Sequence, residues 1–154
     1  NRKDNMRAVI QRVQNAGVTV KEEVISRIGP GFLVLLGVEN EDTATDAEYI
    51  ANKIAGLRVF EDEDDKLNRS ILDTEGEILL VSQFTLYGDV RKGRRPSFIR
   101  AAGGDKAPPF IAMVKKQLED KGLQVKEGRF GAHMQVSLLN DGPVTILIDS
   151  RKEF

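Results

Sequence analysis

The chain has no cysteine, no tryptophan and a single histidine in 154 residues. Without cysteine there is no disulfide framework, no thiol nucleophile and no thiolate zinc site, and one histidine excludes a histidine-rich metal centre. Charge of one sign is lacking too: 23 Lys and Arg stand against 24 Asp and Glu. A net charge of −1 gives no global field to draw in a nucleic acid or an anionic membrane, so any anion site has to be local. The longest purely apolar run, residues 32–36, is far shorter than the roughly 20 residues of a membrane-spanning helix, and a soluble protein with no membrane partner is expected. The first five residues, Asn1-Arg2-Lys3-Asp4-Asn5, are polar and carry no apolar signal segment. They read as an extension set outside the fold, before a single domain over residues 6–154, and a cytoplasmic location is expected.

The residues that are present suffice for one core, at 40% hydrophobic. Residues 6–13, 18–20 and 24–28 are β-compatible and read as short strands around a polar turn. After the punctuation of Gly29-Pro30-Gly31, residues 32–38 are apolar at nearly every position, as in a central strand covered on both faces. Thr45-Asp46-Ala47-Glu48 fits a capping box, and Ala47, Ile50, Ala51, Ile54 and Leu57 recur at helical spacing, so an amphipathic helix is expected over about residues 43–57. The acidic run 61–65 lacks the glycine and terminal glutamate of a calcium loop and reads as a solvated turn.

Residues 77–86 form the second buried-looking strand, with Ile78, Leu80, Ser82 and Phe84 on one face and Leu79, Val81, Gln83 and Thr85 on the other. A second helix is signalled by Pro108 or Pro109 in its first turn, by the stripe Phe110, Met113, Val114 and Leu118, and by Gly122 as its stop; it should end near residue 121. Strands over 134–140 and 144–149 are expected to be joined by an Asn140-Asp141-Gly142 turn, with His133 in the first of them. These elements indicate a compact α/β domain, a mixed sheet or barrel-like core with two main helices on its outer face.

Three segments could carry chemistry. Ser82-Gln83-Phe84-Thr85-Leu86 puts hydroxyl, amide and hydroxyl groups at the end of a core strand. A serine or threonine nucleophile needs a base, yet there is one histidine and no Gly-x-Ser-x-Gly elbow. Ser82 and Thr85 share a pocket only if the strand bulges or ends between them; otherwise their hydroxyls bond neighbouring backbone. Asn140-Asp141-Gly142-Pro143-Val144-Thr145 is either a plain hairpin turn or, with a cis Gly-Pro bond, a rigid display of backbone groups. Arg91-Lys92-Gly93-Arg94-Arg95 is the one concentrated patch for phosphate contact, or else a solvated loop. A lone histidine among apolar strand neighbours reads as structural.

Together, the Ser82 to Leu86 and Asn140 to Thr145 segments resemble the two signature motifs of the D-aminoacyl-tRNA deacylase family. Met6-Arg7-Ala8-Val9-Ile10-Gln11-Arg12-Val13, Arg58-Val59-Phe60-Glu61-Asp62, Gly93-Arg94-Arg95-Pro96-Ser97 and Gly128-Arg129-Phe130-Gly131-Ala132 extend the resemblance, as does the segment 29–37, so that it covers residues 6–150. It implies hydrolysis of the ester between a D-amino acid and the terminal adenosine of tRNA, by a homodimer that uses no metal or other cofactor. It also implies that Ser82, Gln83, Phe84 and Thr85 line the aminoacyl-adenosine pocket with Ala107, and that Phe130 or Met134 contacts the adenine, the alternative being that both are core residues. A cis Gly142-Pro143 from the neighbouring subunit would meet the chiral centre, and Arg91, Lys92, Arg94 and Arg95 would hold acceptor-stem phosphates.

A backbone wall placed where an L side chain would project rejects it by clash, with no tailored side-chain pocket. Ester cleavage could be assisted by the RNA 2′-hydroxyl with main-chain N–H groups on the oxyanion, or Thr85 could be the nucleophile. Glycine wrongly carried on tRNA is an open extension of the substrate range. The resemblance leads to the expectation of an acidic residue where His133 stands, which speaks against a catalytic duty for it, and Ala107-Pro108-Pro109-Phe110 resembles the family's helix start only loosely. Two readings from other classes stay open: a nucleic-acid-binding module of the same fold without hydrolysis, and a general Ser or Thr esterase.

Overall fold

In the computed structural model, which describes residues 5–154, the alternation of side chains along two central strands sorts the core into two layers. The elements in chain order are β1 (Arg7–Val20), β2 (Glu23–Ile28), β3 (Gly31–Gly37), α1 (Ala44–Gly56), β4 (Phe60–Glu61), β5 (Leu67–Arg69), α2 (Ile71–Thr74) and β6 (Glu77–Ser82). A 3-10 turn (Phe84–Tyr87), α3 (Ala107–Asp120), β7 (Gln124–Glu127) and β8 (Gln135–Asp149) complete them. β3 and β6 pair in parallel, from Gly31 opposite Glu77 to Leu36 opposite Ser82. Phe32, Val34, Leu36, Ile78 and Leu80 pack on one side against Ile50 and Ile54 of α1 and Val114 and Leu118 of α3. Leu33, Leu79 and Val81 on the other side join Val13, Val18 and Ile28 in a second cluster. Each fully buried aliphatic side chain of this kind contributes about 1.5–3 kcal/mol, so both clusters are needed to hold the sheet's shape.

The strand order is β2-β1-β3-β6-β7, with β8 on the remaining edge of β1. β1 pairs with β3 over residues 7–13, with β2 over 16–20 and with β8 along nearly its whole length. The twist this imposes curls the sheet until β2 meets β7, where Ser26 Oγ donates to the Glu127 carbonyl and Lys126 Nζ donates to the Arg27 carbonyl at 2.8 Å. The result is a mixed α/β fold around a nearly closed, barrel-like sheet carrying two main helices, as the residue pattern indicates.

Several local expectations are corrected. The segments expected as short strands at the start form the single long β1 and the separate β2. The N-cap of α1 is Thr43, whose N–H donates to Asp46 Oδ2 at 2.8 Å, so the capping partner is Asp46 rather than a Thr45 and Glu48 pair. On α3 the core-facing stripe runs through Ile111, while Met113 is exposed, because the helix starts at Ala107 and its buried face is set by Ala107, Ile111, Val114 and Leu118. β6 stops at Ser82 instead of continuing to residue 86. The expected hairpin at residues 140–142 does not exist: β8 runs continuously from Gln135 to Asp149 against β1. His133 precedes that strand and is exposed. The acidic run does form a turn, between β4 and β5, where Asp62 Oδ1 accepts N–H bonds from Asp64 at 2.8 Å and Lys66 at 3.1 Å. Those backbone bonds, that from Lys66 foremost, hold the Asp62 carboxyl below its ordinary range.

Residues 1–4 of the N-terminal extension lie outside the described residues. Asn5, expected to belong with them, is instead buried. Its N–H donates to Glu39 Oε2 at 2.5 Å, its amide donates to Asp149, and Arg100 Nη2 donates to its Oδ1 at 2.6 Å. The Tyr87 hydroxyl lies 2.6 Å from the Asn5 carbonyl and 2.8 Å from the Gly37 carbonyl, so one proton serves two buried acceptors. Burial, reinforced by the carboxylates of Asp42 and Glu39, pushes the Tyr87 phenol far above its ordinary value, which favours the protonated form that donates. Tyr87→Phe should lower the free energy of unfolding by about 1–3 kcal/mol, since it strands two buried carbonyls. Urea denaturation checks this, and an unchanged midpoint would mean that the hydroxyl is dispensable.

Candidate active site

The carboxyl ends of adjacent parallel strands leave backbone carbonyls that the sheet no longer satisfies, and loops gather there to bond them. The Gln83 N–H donates to the Leu36 carbonyl at 2.8 Å, and that of Ala102 to the Val38 carbonyl at 2.9 Å. The Gly128 N–H donates to the Leu80 carbonyl at 3.1 Å. Between these loops lies a cleft of about 270 Å³ walled by Val38, Ser82, Phe84, Ala102, Gly104 and Ala107, and closed by residues 130–132 and Met134. None of these side chains is ionisable, so the cleft is neutral and mostly apolar, with the Ser82 hydroxyl as its one side-chain polar group.

Of the residues singled out from the sequence, the fold brings Ser82, Phe84, Ala107, Phe130 and Met134 into this one cleft. Ser82 and Phe84 fall on the same side, as the alternation along residues 78–84 expects, although β6 ends at Ser82 and Phe84 reaches the cleft from the 3-10 turn that follows. Gln83 and Thr85 are not in the lining: Gln83 Nε2 donates to Thr85 Oγ1 at 2.8 Å, and Thr85 is exposed. The side-chain neighbour that bonds the Thr85 hydroxyl is thus an amide, with no basicity to activate it. Phe84 meets Phe98 edge to face, with ring centroids 5.1 Å apart, and Phe98 ends the loop that carries Arg91, Lys92, Arg94 and Arg95. All four of those cations are exposed. Arg91 is bound to Asp89 through Nε at 3.0 Å and Nη2 at 2.7 Å, and these bonds hold the Asp89 carboxyl well below the usual carboxylate range.

Gly142 and Pro143 do not line the cleft of their own chain. The peptide bond between them is cis. They sit in a large bulge of β8, where Val13 is opposite Asn140 and Gln11 is opposite Thr145, so Arg12 alone faces the four residues 141–144. Arg12 is buried, and its guanidinium supports the bulge from beneath: Nε donates to the Asp141 carbonyl at 2.8 Å, and Nη1 donates to the Val59 carbonyl at 2.6 Å and to Glu61 Oε2 at 2.9 Å. The Asn140 side chain closes the loop, accepting the Val144 N–H at 2.8 Å. Gly142 has φ +144°, and a Cβ there would stand 2.7 Å from Val144 Cγ2 and 2.9 Å from the Val144 nitrogen. Arg12 was missed from sequence, where it reads as one polar position of a strand; an arginine due to be buried between Gln11 and Val13 was the available signal. Val38, Ala102 and Gly104 had none, being small or aliphatic residues of loops.

The family model described as D-Tyr-tRNA(Tyr) deacylase matches residues 9–149. The chain is similar to the D-aminoacyl-tRNA deacylase of Symbiobacterium thermophilum, at 59% identity over 97% of this chain and 99% of that protein. It is similar to that of Thermus aquaticus at 59% identity over 96% of this chain and 97% of that one. Among solved structures it resembles the c-Myc DNA unwinding element binding protein, with a TM-score of 0.86 and 48% identity over 92% of this chain and 97% of that one. A probable eukaryotic D-amino acid tRNA deacylase shares the fold, with a TM-score of 0.81 at 18% identity over 94% of this chain and 99% of that one.

Arg12→Ala should cost about 2 kcal/mol or more of stability, because the carbonyls of Val59 and Asp141 lose a buried charged donor. Glu61→Ala, which removes a half-exposed ion-pair partner, should cost less than about 1 kcal/mol. Urea midpoints of the two variants compare them directly; equal losses would mean that the ion pair, and not the carbonyl bonds, anchors the bulge.

Proposed function

The chain belongs to the D-Tyr-tRNA(Tyr) deacylase family, and we propose that it hydrolyses D-aminoacyl-tRNA in the cytoplasm to release the free D-amino acid and reusable tRNA. The observation that carries this reading is the neutral cleft itself, which joins Ser82 and Phe84 of the first segment with Ala107, Phe130 and Met134 in one nucleoside-sized, apolar site beside a strand end. Phe130 and Met134 offer flat and polarisable surfaces for the adenine, and Ala107 and Ala102 leave room for the ring. In the reaction a water oxygen bonds to the ester carbonyl carbon, the bond to the ribose oxygen breaks, and that oxygen takes a proton to leave as the terminal hydroxyl. Phe84 and Thr85 open the 3-10 turn, where the first N–H groups have no partner within the turn and can serve the oxyanion. The 2′-hydroxyl of the RNA assists, which fits a Thr85 hydroxyl bonded to an amide and a cleft without a base.

Selection against L-amino acids is assigned to Gly142 and Pro143 of a second copy. Two observations support a homodimer here: the bulge is absent from its own chain's cleft, and β8 carries the exposed side chains Leu138, Leu139 and Leu147 along the sheet margin. With Arg12 holding the bulge, the backbone forms a wall that an L side chain strikes and a D side chain does not. Glycine has no side chain to strike it, so glycyl-tRNA also passes this filter. Lys92, Arg94 and Arg95, together with Arg91, would meet the phosphates of the acceptor stem. A nucleic-acid-binding module without hydrolysis is the second reading, favoured by the name of the 48% identical c-Myc DNA unwinding element binding protein.

Deacylation of D-tyrosyl-tRNA and L-tyrosyl-tRNA at equal enzyme concentration, with chelator present, tests the function. Loss of the D ester alone is expected; loss of both esters would indicate a general esterase, and loss of neither the binding module. Thr85→Ala should keep the rate within about tenfold of the parent, whereas loss of a true nucleophile costs orders of magnitude more. Gly142→Ala should lose the preference for the D ester and Ala107→Trp should be inactive, and co-expression of the two should restore D-selective cleavage, one composite site being intact in the mixed dimer.

A further inference from the structure

The loop 128–134 is a thin partition with a different hollow on either side. Phe130, Gly131 and Met134 line the neutral cleft, while Arg129, His133 and the following Gln135 line a second one of about 480 Å³, and Ala132 belongs to both. The partition is fixed in place. A Cβ at Gly128 would stand 2.6 Å from Met134 Sδ, the Arg129 N–H donates to that sulfur at 3.4 Å, and the Ala132 N–H donates to the Arg129 carbonyl at 3.1 Å.

The opposite wall of the second cleft is the β1–β2 turn, with Thr19, Val20, Lys21 and Glu22. Lys21 and Glu22 both hold left-handed conformations, with φ +49° and +68°, which makes this turn the tight two-residue kind whose twist matches its strands. The second cleft therefore differs from the first in chemistry: it carries two basic side chains, Lys21 and Arg129, against the single carboxylate of Glu22, with the His133 ring beside them. All four are exposed, and the chain's near-zero net charge makes such a local excess informative.

We propose that this second cleft binds the nucleotide that precedes the terminal adenosine of the RNA, with Lys21 and Arg129 on the connecting phosphate and the His133 ring against the base. The inference rests on the deacylase reading, which puts the adenosine against Phe130 and Met134. The neighbouring cleft across the partition is one step away for a single strand continuing from that adenosine, and Ala132, with its small side chain, is where the two clefts meet. Phosphate contact by a planar guanidinium and an ammonium, with the base on a flat ring, is the usual division of labour for single-stranded RNA. His133 thus acquires a binding role in place of the structural one read from sequence.

The test separates this subsite from the reaction. Wild-type cleavage of D-tyrosyl-adenosine, which has no preceding nucleotide, is measured first and bears on the deacylase reading alone. For the double variant Lys21→Ala/Arg129→Ala, KM for D-tyrosyl-tRNA should rise about tenfold with kcat unchanged, and the slope of log KM against log salt should fall by about 0.7 for each phosphate no longer neutralised. KM for D-tyrosyl-adenosine should not move. Binding of the dinucleotide cytidylyl-3′,5′-adenosine by calorimetry, independent of turnover, should weaken in the double variant and in His133→Ala while adenosine binding stays constant. An unchanged KM for the charged tRNA, equal losses on both substrates, or dinucleotide binding no tighter than that of adenosine would each overturn the proposal.

Discussion

Backbone carbonyls at the ends of β3 and β6 have to be bonded once the two strands stop pairing, and nearly every feature of the active site follows from how that is done. Leu36 is taken by Gln83, Gly37 by the Tyr87 hydroxyl, Val38 by Ala102 and Leu80 by Gly128. Gln83 and Tyr87 bracket the 3-10 turn while Ala102 and Gly128 anchor two further loops, so three stretches of chain far apart in sequence are pinned around one point. An unmade bond at any of these sites would cost about 1–3 kcal/mol, a sizeable part of the net stability of a domain this size. The cleft is what remains in the middle after the sheet has finished satisfying itself.

Much of the fold is legible in the residues because it depends on local periodicity. The apolar run after Gly31, the two faces of residues 77–82 and the helical spacing of Ile50 and Ile54 specify the layers correctly. What was not legible depended on pairing across the chain. Asn140-Asp141-Gly142 has the chemistry of a hairpin turn, and it became a bulge because β1 offers a continuous partner on both sides of it. Ser82 to Thr85 reads as strand by propensity, yet β3 ends at Gly37 and leaves nothing for the extra residues to pair with. The site divides in the same way. Of the residues that line the cleft, Ser82 stands out in the sequence by its chemistry, and Phe84, Ala107, Phe130 and Met134 through the family resemblance. Val38 and Ala102 contribute shape only, and shape is set by where loops dock. Arg12 was hidden because its partners, Val59, Glu61 and Asp141, are 47, 49 and 129 residues away.

Arg12 and Tyr87 illustrate two ways of making backbone rigid. Tyr87 uses one hydroxyl to tie Asn5 to the end of β3, and the same neighbourhood contains Glu39, Asp149 and Arg100 in a shared polar cluster. Arg12 spreads one guanidinium over three acceptors and supports a stretch of chain that has no sheet partner of its own. In both cases a charged or polar group is buried to orient main-chain atoms. Such an arrangement suits a protein whose discrimination is attributed to main chain.

The absence of any titratable side chain from the cleft has a bearing on how the reaction responds to its medium. An enzyme with a histidine or carboxylate at its centre shows the protonation of that group in its rate, rising and falling around the group's own pKa. A cleft lined by alanine, valine, phenylalanine, methionine, glycine and one serine has no such group to protonate. On the proposed reading, the acid and base limbs of the rate belong to the ester, to its ammonium group and to water. On that reading the protein acts as a fixed solvent of chosen shape, and its turnover tracks the acidity of its surroundings as the substrate's own chemistry does.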